Sequence, residues 1–278
     1  EIYMGDWSSD VCSSDLVSLD TRWNEHVRTS IGLRADHFDF DVNADLASNS
    51  GVASDTVASP KFSLVLGPWR ETEFFANIGR GFHSNDARGT TIRVDPVDGM
   101  TPAQRVDPVV TALGADMGVR TAIIPNMQLS LSLWSLDLDS ELLFVGDAGT
   151  TQASRASARR GIELAAIWNP LRWLIIDADL AWSRARFTDE DPQGSRIPGA
   201  VEGVASLGVA IDHPSGWFGG ARFRHFGAAP LIEDNRVRSD PTTLVNLEAG
   251  YRVGQRWRIS TALYNYMEIG RASCRERV

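Results

Sequence analysis

The chain has 278 residues and a formal net charge of −9 at pH 7, and its length allows one large domain or two ordinary ones. The acidic balance argues against a nucleic-acid partner. No run of about 18 apolar residues occurs, so the sequence predicts no transmembrane helix, although the alternating strands of a membrane barrel never produce such a run.

The two ends of the chain differ in character from the rest. Residues 1–16 and 269–278 resemble translated sequencing-adapter DNA, and we interpret both as non-native segments that flank the region 17–268. Both cysteines, Cys12 and Cys274, lie in these ends, so no disulfide, zinc or thiol site is predicted. The region between them stays acidic when the ends are set aside.

Alternating apolar and polar residues predict strands along most of the chain. A strand at 60–66 is followed by the tight turn GPWRE and by a second strand that ends at Phe82. The segment 116–123 alternates in the same way. The alternation then slips near Leu133 and Trp134, which we interpret as a β-bulge.

The clearest strand signal is WLIIDADLAWSRARF, residues 173–187. Asp177 and Asp179 fall on one face, and the other face is apolar, because successive side chains of a strand point to opposite sides. A helix would instead place the aspartates inside its apolar stripe. The apolar face consists of Leu174, Ile176, Ala178, Leu180 and Trp182.

The later segments 201–212 and 245–253 repeat this alternation, and no convincing helical period appears. About twelve strands are predicted, several of them near the roughly 9–11 residues that a tilted membrane strand needs. The predicted fold is therefore all-β: a transmembrane antiparallel up-and-down β-barrel, here incomplete with about 12 strands. We expect its polar lumen face to carry Asp177, Asp179, Arg222, Arg224, Glu248 and Arg252, and its lipid face to carry Leu174, Leu180, Leu207 and Leu247.

Short and long connections alternate between the predicted strands. Short turns are predicted near Asn24-Glu25, in GPWRE, and at Pro125-Asn126, Asn169-Pro170, His213–Gly216 and Gly254-Gln255. Long polar loops are predicted at 83–113, 146–158, 188–200 and 227–241. Outer-membrane barrels have this asymmetry, with short periplasmic turns and long extracellular loops.

Most tryptophans lie beside the short turns. Because indole is amphipathic and settles at the depth of lipid headgroups, this distribution predicts an aromatic girdle at one membrane interface. The alternative is that turn-flanking tryptophans cap a soluble core. The six residues concerned are Trp23, Trp69, Trp168, Trp173, Trp217 and Trp257.

Several segments of the chain, in their order along the sequence, resemble TonB-dependent outer-membrane receptors. They are SPKFSLVLGPWRETEFFANIGRGFHSNDARGTT (59–91), LWSLDLDSELLFVGDAGTT (133–151), IPGAVEGVASLGVAI (197–211), PLIEDNRVRSDPTTLVNLEAGYRVGQRWRIS (230–260) and LYNYME. The resemblance covers essentially all of 17–268. It implies a large barrel with an N-terminal plug domain that imports scarce ligands with energy passed on by TonB. We expect the plug, the TonB box and the closing strand to lie outside this chain.

The candidate ligand site is the segment GRGFHSNDARG, which gathers polar residues at the mouth of a strand. These residues either contact ligand or close the loop by local bonds, and the second role is favoured because Asn and Asp often bond nearby backbone groups. Arg222 and Arg224 are further candidates for pairing with Asp177 or Asp179. The candidate ligand-binding residues are Arg80, His83, Asn85, Asp86 and Arg88.

No catalytic or cofactor motif is present. The five histidines are dispersed without metal-ligand spacing, and GxSxG, GxxxxGK[ST] and GxGxxG are absent from the sequence, so no metal, cofactor or enzymatic activity is expected. The predicted function is active transport of a scarce ligand such as a ferric siderophore across the cell outer membrane. The expected partners are the TonB complex, the imported small molecule and outer-membrane lipid. The alternatives are a passive porin or other barrel that does not use TonB, a lipid-modifying enzyme, and a soluble propeller or sandwich.

Overall fold

The computed structural model describes residues 7–140, 142–145, 150–153, 155–191, 194–254 and 256–266. Twelve strands form one sheet and two form a separate hairpin. The helices among these residues are a 3-10 turn at Ala47–Asn49 and one short α-helix, α1, at Ala87–Thr91. None of the described helices is long and apolar enough to span a membrane.

Every pairing in the large sheet is antiparallel, and strand order follows the chain. Its strands are β1 (Trp7–Arg22), β2 (Val27–Asn43), β3 (Gly51–Trp69), β4 (Thr72–Ser84), β5 (Val109–Thr121), β6 (Met127–Leu138), β9 (Ser157–Leu171), β10 (Leu174–Phe187), β11 (Gly203–Asp212), β12 (Trp217–Phe226), β13 (Thr242–Val253) and β14 (Trp257–Leu263), and the hairpin strands are β7 (Leu142–Val145) and β8 (Thr150–Ala153). The hairpin lies in the connection between β6 and β9. The sheet is open, with β1 and β14 at its edges.

The register divides the sheet into a polar and an apolar face. Asp177 pairs with Gly208, which in turn pairs with Arg222, so all three belong to one face. Leu207 pairs with Ala178 and Phe223 on the other. The six charged residues assigned to the lumen lie on the polar face and the four leucines assigned to lipid lie on the apolar face, which confirms the predicted alternation, while the contact of these faces with lumen and lipid stays a prediction.

The apolar face exposes many large hydrophobic side chains, which is unfavourable in water. Leu180 and Leu207 are each 49% exposed, Leu247 is 43% exposed and Met117 is 61% exposed, with similar residues on neighbouring strands. A contiguous apolar surface of this kind marks a face that contacts a partner or lipid. The alternation therefore places the apolar residues on the side that a bilayer would contact.

The connections alternate in length as predicted. Short turns at 23–26, 70–71, 122–126, 172–173, 213–216 and 254–256 all lie at one end of the sheet, the short-turn end. Connections at 44–50, 85–108, 139–156, 188–202 and 227–241 lie at the other, the long-loop end. One predicted turn is misplaced: β9 continues through Asn169 and Pro170 to Leu171, and the chain reverses at Arg172 and Trp173.

The predicted bulge at Leu133 and Trp134 is wrong. β6 pairs without a register shift, since Leu133 pairs with Met117 and Trp134 with Asp116 in sequence. The apolar alternation slips because β6 carries apolar residues on the polar face as well, beginning at Trp134. The Trp134 ring occupies the space that a side chain at Gly161 would fill. The apolar pattern of a sequence alone does not distinguish a β-bulge from a regular strand that is apolar on both faces.

Five of the six turn-associated tryptophans are exposed, and all six lie at the short-turn end. Trp168, Trp217 and Trp257 belong to the apolar face by register. Trp173 is half-buried against His213, with ring centroids 4.9 Å apart. Trp182 lies on the same face toward the long-loop end and is 57% exposed. The aromatic residues thus bracket the apolar face.

The buried core lies at the long-loop end. It contains Phe38 and Phe40 of β2, Val57 of β3 and Val109 of β5. Phe82 of β4 meets Phe38 edge-on, with centroids 5.5 Å apart. β3 and β4 pair only as far as Lys61 and Gly79, so beyond that point the strand ends pack against one another and bury these aromatic rings.

Strand β1 begins at Trp7 and continues across residue 16, where we predicted that the non-native segment ends. The position of that boundary stays a prediction.

Candidate functional site

The predicted polar segment begins on β4. Arg80 is exposed on the apolar side of the strand, and its guanidinium donates to Thr111 Oγ1 at 3.1 Å. His83 lies three residues further along on the polar side and is half-buried. Its imidazole has no hydrogen bond or ion pair within the part of the chain that the structure describes. Arg80 and His83 therefore point to opposite sides of the sheet.

The rest of the segment forms a local turn. Asn85 is 6% exposed, its amide nitrogen donates to the carbonyl of Asp107 at 2.5 Å, and its backbone N–H donates to the carbonyl of Pro108 at 2.9 Å. Asp86 is the N-cap of α1 and accepts from the backbone N–H of Arg88 at 2.9 Å. The Arg88 guanidinium donates to both carboxylate oxygens, at 3.0 and 2.6 Å.

These contacts lower the pKa of Asp86, with the side-chain bond from Arg88 as the largest cause, backbone bonding in the same direction and burial opposing it. The hydrogen bonds of Asn85, Asp86 and Arg88 therefore stabilise the loop itself, as those of N-cap and Asx-turn residues do. The structure brings these three together, whereas Arg80 and His83 lie apart from them. The role of the segment in binding ligand stays a prediction.

A second polar cluster joins the long loops, and sequence reasoning missed it. Arg155 donates from Nε to both oxygens of Asp189, each at 2.7 Å, and from a terminal nitrogen to Glu233 at 2.6 Å. It also donates to the carbonyl of Gly194 at 2.9 Å and lies 4.4 Å from the ring centroid of Phe187. The Asp189 bond raises the pKa of Arg155 and lowers that of Asp189.

Glu202 forms a similar junction between two of these loops. Arg196 and Arg238 each donate to one of its carboxylate oxygens at 2.8 Å. Arg238 also donates to the carbonyl of Ala228 at 2.9 Å. Loops 139–156, 188–202 and 227–241 are consequently docked to one another by charge-assisted bonds. Apart from Arg196 and Glu202, the paired side chains are at least 34 residues apart in sequence, so no local motif signals them.

The polar face carries its own ion pairs between strands. Arg222 donates two parallel bonds to Asp177, at 2.8 and 2.9 Å, and a third to Ser206 at 3.1 Å. Gly208 lies between them in the register, and a Cβ there would come within 2.4 Å of the carboxylate and 2.5 Å of the guanidinium. The absence of a side chain at this position therefore makes room for the pair. Of the two aspartates predicted as partners, Asp177 is the one used.

Toward the short-turn end, the polar face forms an open groove of about 640 Å³. Glu73 accepts from Arg120 at 2.7 Å and also pairs with Arg28. Asp179 contributes a carboxylate to the groove wall. Among the described residues, no group of three or more His, Cys, Asp or Glu side chains is placed to hold a metal ion. The groove is thus a charged, water-accessible surface.

The residues that build this sheet and its loops match a known protein family. The family of TonB dependent receptor-like β-barrels matches residues 11–266. The chain belongs to the TonB-dependent receptor family. The predicted family and all-β barrel class are confirmed, and members of this family are transport receptors of the outer membrane.

Solved structures show how much of such a receptor this barrel represents. The ferric yersiniabactin uptake receptor FyuA from Yersinia pestis has a TM-score of 0.74 and 15% identity, covering 94% of this chain and 41% of that one. The copper transporter OprC has a TM-score of 0.74, 17% identity and coverages of 93% and 42%. The ferric preacinetobactin receptor BauA from Acinetobacter baumannii has a TM-score of 0.70 and 15% identity, covering 93% of this chain and 39% of that one. The receptor barrel described here spans about two fifths of the length of these proteins, and the likeness shows a shared fold.

Proposed function

We propose that this receptor barrel belongs to an outer-membrane protein that imports a scarce ligand, such as a ferric siderophore, with energy supplied through TonB. The family match over residues 11–266 carries the proposal. The solved proteins of the same fold include receptors for ferric yersiniabactin and ferric preacinetobactin. A passive porin is the alternative, and it predicts uptake that needs no energy source.

The two faces of the sheet support transport through a lumen. The apolar face would contact lipid, while the polar face with its Arg222–Asp177 pair would contact water and solute. The docked long loops support a shaped extracellular mouth, because charge-assisted bonds fix loop geometry better than exposed loops alone. A mouth of that kind selects a ligand before it enters the lumen.

Within the predicted site, we propose that His83 contacts the ligand from the polar face, while Asn85, Asp86 and Arg88 shape the loop behind it and Arg80 lies on the other side of the strand. His83 lies on the polar face at the long-loop end without a partner among the described side chains. Arg80 is exposed on the opposite side of the same strand, with one bond to Thr111. Asp86 and Arg88 already bond to one another.

The function is tested by uptake of radiolabelled ferric siderophores in the bacterium that carries the gene, in a deletion strain and in a strain without TonB. We expect saturable uptake that disappears in both mutants and returns when the intact gene is restored to the deletion strain. Uptake that persists without TonB, or that rises linearly with ligand concentration, would establish a passive pore instead.

The site is tested in the same strain with His83→Ala and with His213→Ala as a matched control in a short turn at the opposite end. Loss of a hydrogen bond to a charged ligand should weaken binding by about tenfold or more for His83→Ala. The control should bind as the unmodified receptor does. Equal affinities for both variants would remove His83 from the site.

A further inference from the structure

The part of β3 nearest the long loops has one neighbouring strand instead of two. Residues 51–60 pair with β2 along an unbroken register, but β3 pairs with β4 only between Lys61 and Trp69. Beyond Gly79, β4 continues along β5 as far as Ser84. An open edge, the β3 edge (51–60), is therefore left between two strands that are consecutive in the chain.

A proline explains why the β3–β4 ladder ends at this point. The backbone N–H of Gly67 donates to the carbonyl of His26 at 2.7 Å, and this pair continues the β2–β3 register. Backbone groups of alternate residues face opposite edges of a strand, so the odd-numbered residues of β3 face β2 and the even-numbered ones face the β4 side. Pro60 is the first residue past the last β3–β4 pair, on the β4 side, and it has no N–H to donate.

The backbone groups of the β3 edge are available to another strand. The N–H of Thr56 donates to the adjacent Asp55 carboxylate at 2.7 Å. The other N–H groups on that side, those of Val52, Ser54 and Ala58, have no protein partner within the ranges that the structure describes. The side chains at all four even positions are exposed. Proteins usually block such an edge with a lysine, a proline or a bulge, and the stretch from Val52 to Ala58 contains none of these.

The surface beside the β3 edge is acidic. Past Leu33 and Phe62, which are exposed apolar residues, β2 presents His37, Asp39 and Asp41 on the same exposed face. Among the described residues, His37 is the one basic side chain within ion-pair distance of either aspartate, 3.4 Å from Asp39. An added strand therefore meets a negative surface beyond the apolar band.

We propose that the β3 edge binds an extended, basic segment of another polypeptide, which pairs with it as an added antiparallel strand. The main-chain groups of Ser54, Thr56 and Ala58 would hold the segment, as in other complexes formed by strand addition. Its side chains would lie about 10 Å, or two strand spacings, from Asp39 and Asp41. Long lysine or arginine side chains shorten that distance, so charge complementarity favours a basic partner.

The first test asks whether backbone groups hold the partner. The probe is a fluorescein-labelled peptide of alternating lysine and threonine, as long as the β3 edge, and its binding to the full-length receptor in non-ionic detergent is followed by fluorescence anisotropy. Two further versions are N-methylated at every second residue, in the two possible phases. One phase removes the N–H groups that face β3, so we expect that version to bind at least about tenfold more weakly, since each lost hydrogen bond costs about two- to tenfold. The other version should bind as the parent peptide does. Equal binding of the two methylated versions, or no binding of the parent peptide, overturns the proposal.

The second test changes the receptor. Ser54→Pro removes an N–H group from the β3 edge and leaves the β2 ladder intact, whereas Ser54→Ala keeps that group and is the matched control. We expect the proline variant to bind the peptide about two- to tenfold more weakly and the alanine variant to bind it as the unmodified receptor does. Equal affinities for the two variants contradict strand addition. A peptide with glutamate in place of lysine should not bind, and binding as tight as that of the parent would refute a basic partner.

Hydrogen exchange of the unmodified receptor locates the contact without any substitution. The backbone N–H groups of Ser54 and Ala58 should exchange freely in the receptor alone and become protected when the peptide is added. Protection before the peptide is added would show that another part of the receptor covers the β3 edge, and binding without protection would place the peptide elsewhere. Either result overturns the proposal. Because the measurement needs no uptake, its outcome is separate from that of the proposed transport.

Discussion

Replacing Leu207 by lysine tests the assignment of the sheet's two faces. Leu207 is 49% exposed on the apolar face, and its partner Ala178 lies halfway along β10 between Leu174 and Trp182. This position is the middle of the apolar band, where a lysine on the lipid side of a barrel costs about 2–4 kcal/mol. At 25 °C that cost lowers the folding equilibrium constant in the membrane by roughly 30-fold to 1000-fold.

The assay is reversible folding of the full-length receptor into lipid vesicles, followed by tryptophan fluorescence over a urea titration. The matched control is Ser206→Lys, one residue away on the polar face and paired with Asp179. Its ammonium group would remain in water with Asp179 on one side and Arg224 on the other, and the variant gives up the bond that Ser206 accepts from Arg222, so we expect a change of about 1 kcal/mol. If both lysines cost the same, the apolar face does not contact lipid and the reasoning fails.

Three further predictions concern the polar face and the long loops. Asp177→Asn should reduce stability by about 1 kcal/mol, because Arg222 is partly exposed to solvent and keeps some hydration, and a double-mutant cycle with Arg222→Gln measures their coupling. Gly208→Ala should cost about 1 kcal/mol in urea unfolding, since its Cβ would displace that ion pair, whereas Gly81→Ala has open space and should be neutral; equal costs would contradict this. The folded pKa of Asp189 is lowered by its arginine partner, so the docking of the loop after β10 is present above the ordinary pKa and lost as pH falls through the lowered one. Hydrogen exchange in that loop should rise on acidification, and a rate independent of pH after correction for intrinsic exchange would contradict the pairing.

The strand pattern of this protein could be predicted from its sequence because it depends on local geometry. The period of two places Asp177 and Leu180 on opposite faces whatever lies beside β10. Turn residues lie between strands and restrict the backbone locally, so the alternation of short and long connections was also visible. The turn after β9 was misplaced by a few residues because Pro170 is tolerated near the end of that strand.

The sequence by itself therefore determined the fold class, the two faces of each strand, and the end of the sheet at which the tryptophans collect. Only the tertiary structure decided which side chains meet. Arg222 pairs with Asp177 rather than Asp179, and Arg155 joins Asp189 to Glu233, because register and loop docking bring together residues that are distant along the chain. Arg160 of β9 and Arg184 of β10 likewise lie opposite each other only because the register between the two strands is fixed. Alternation is a property of one strand, whereas every one of these contacts depends on the alignment of two or more.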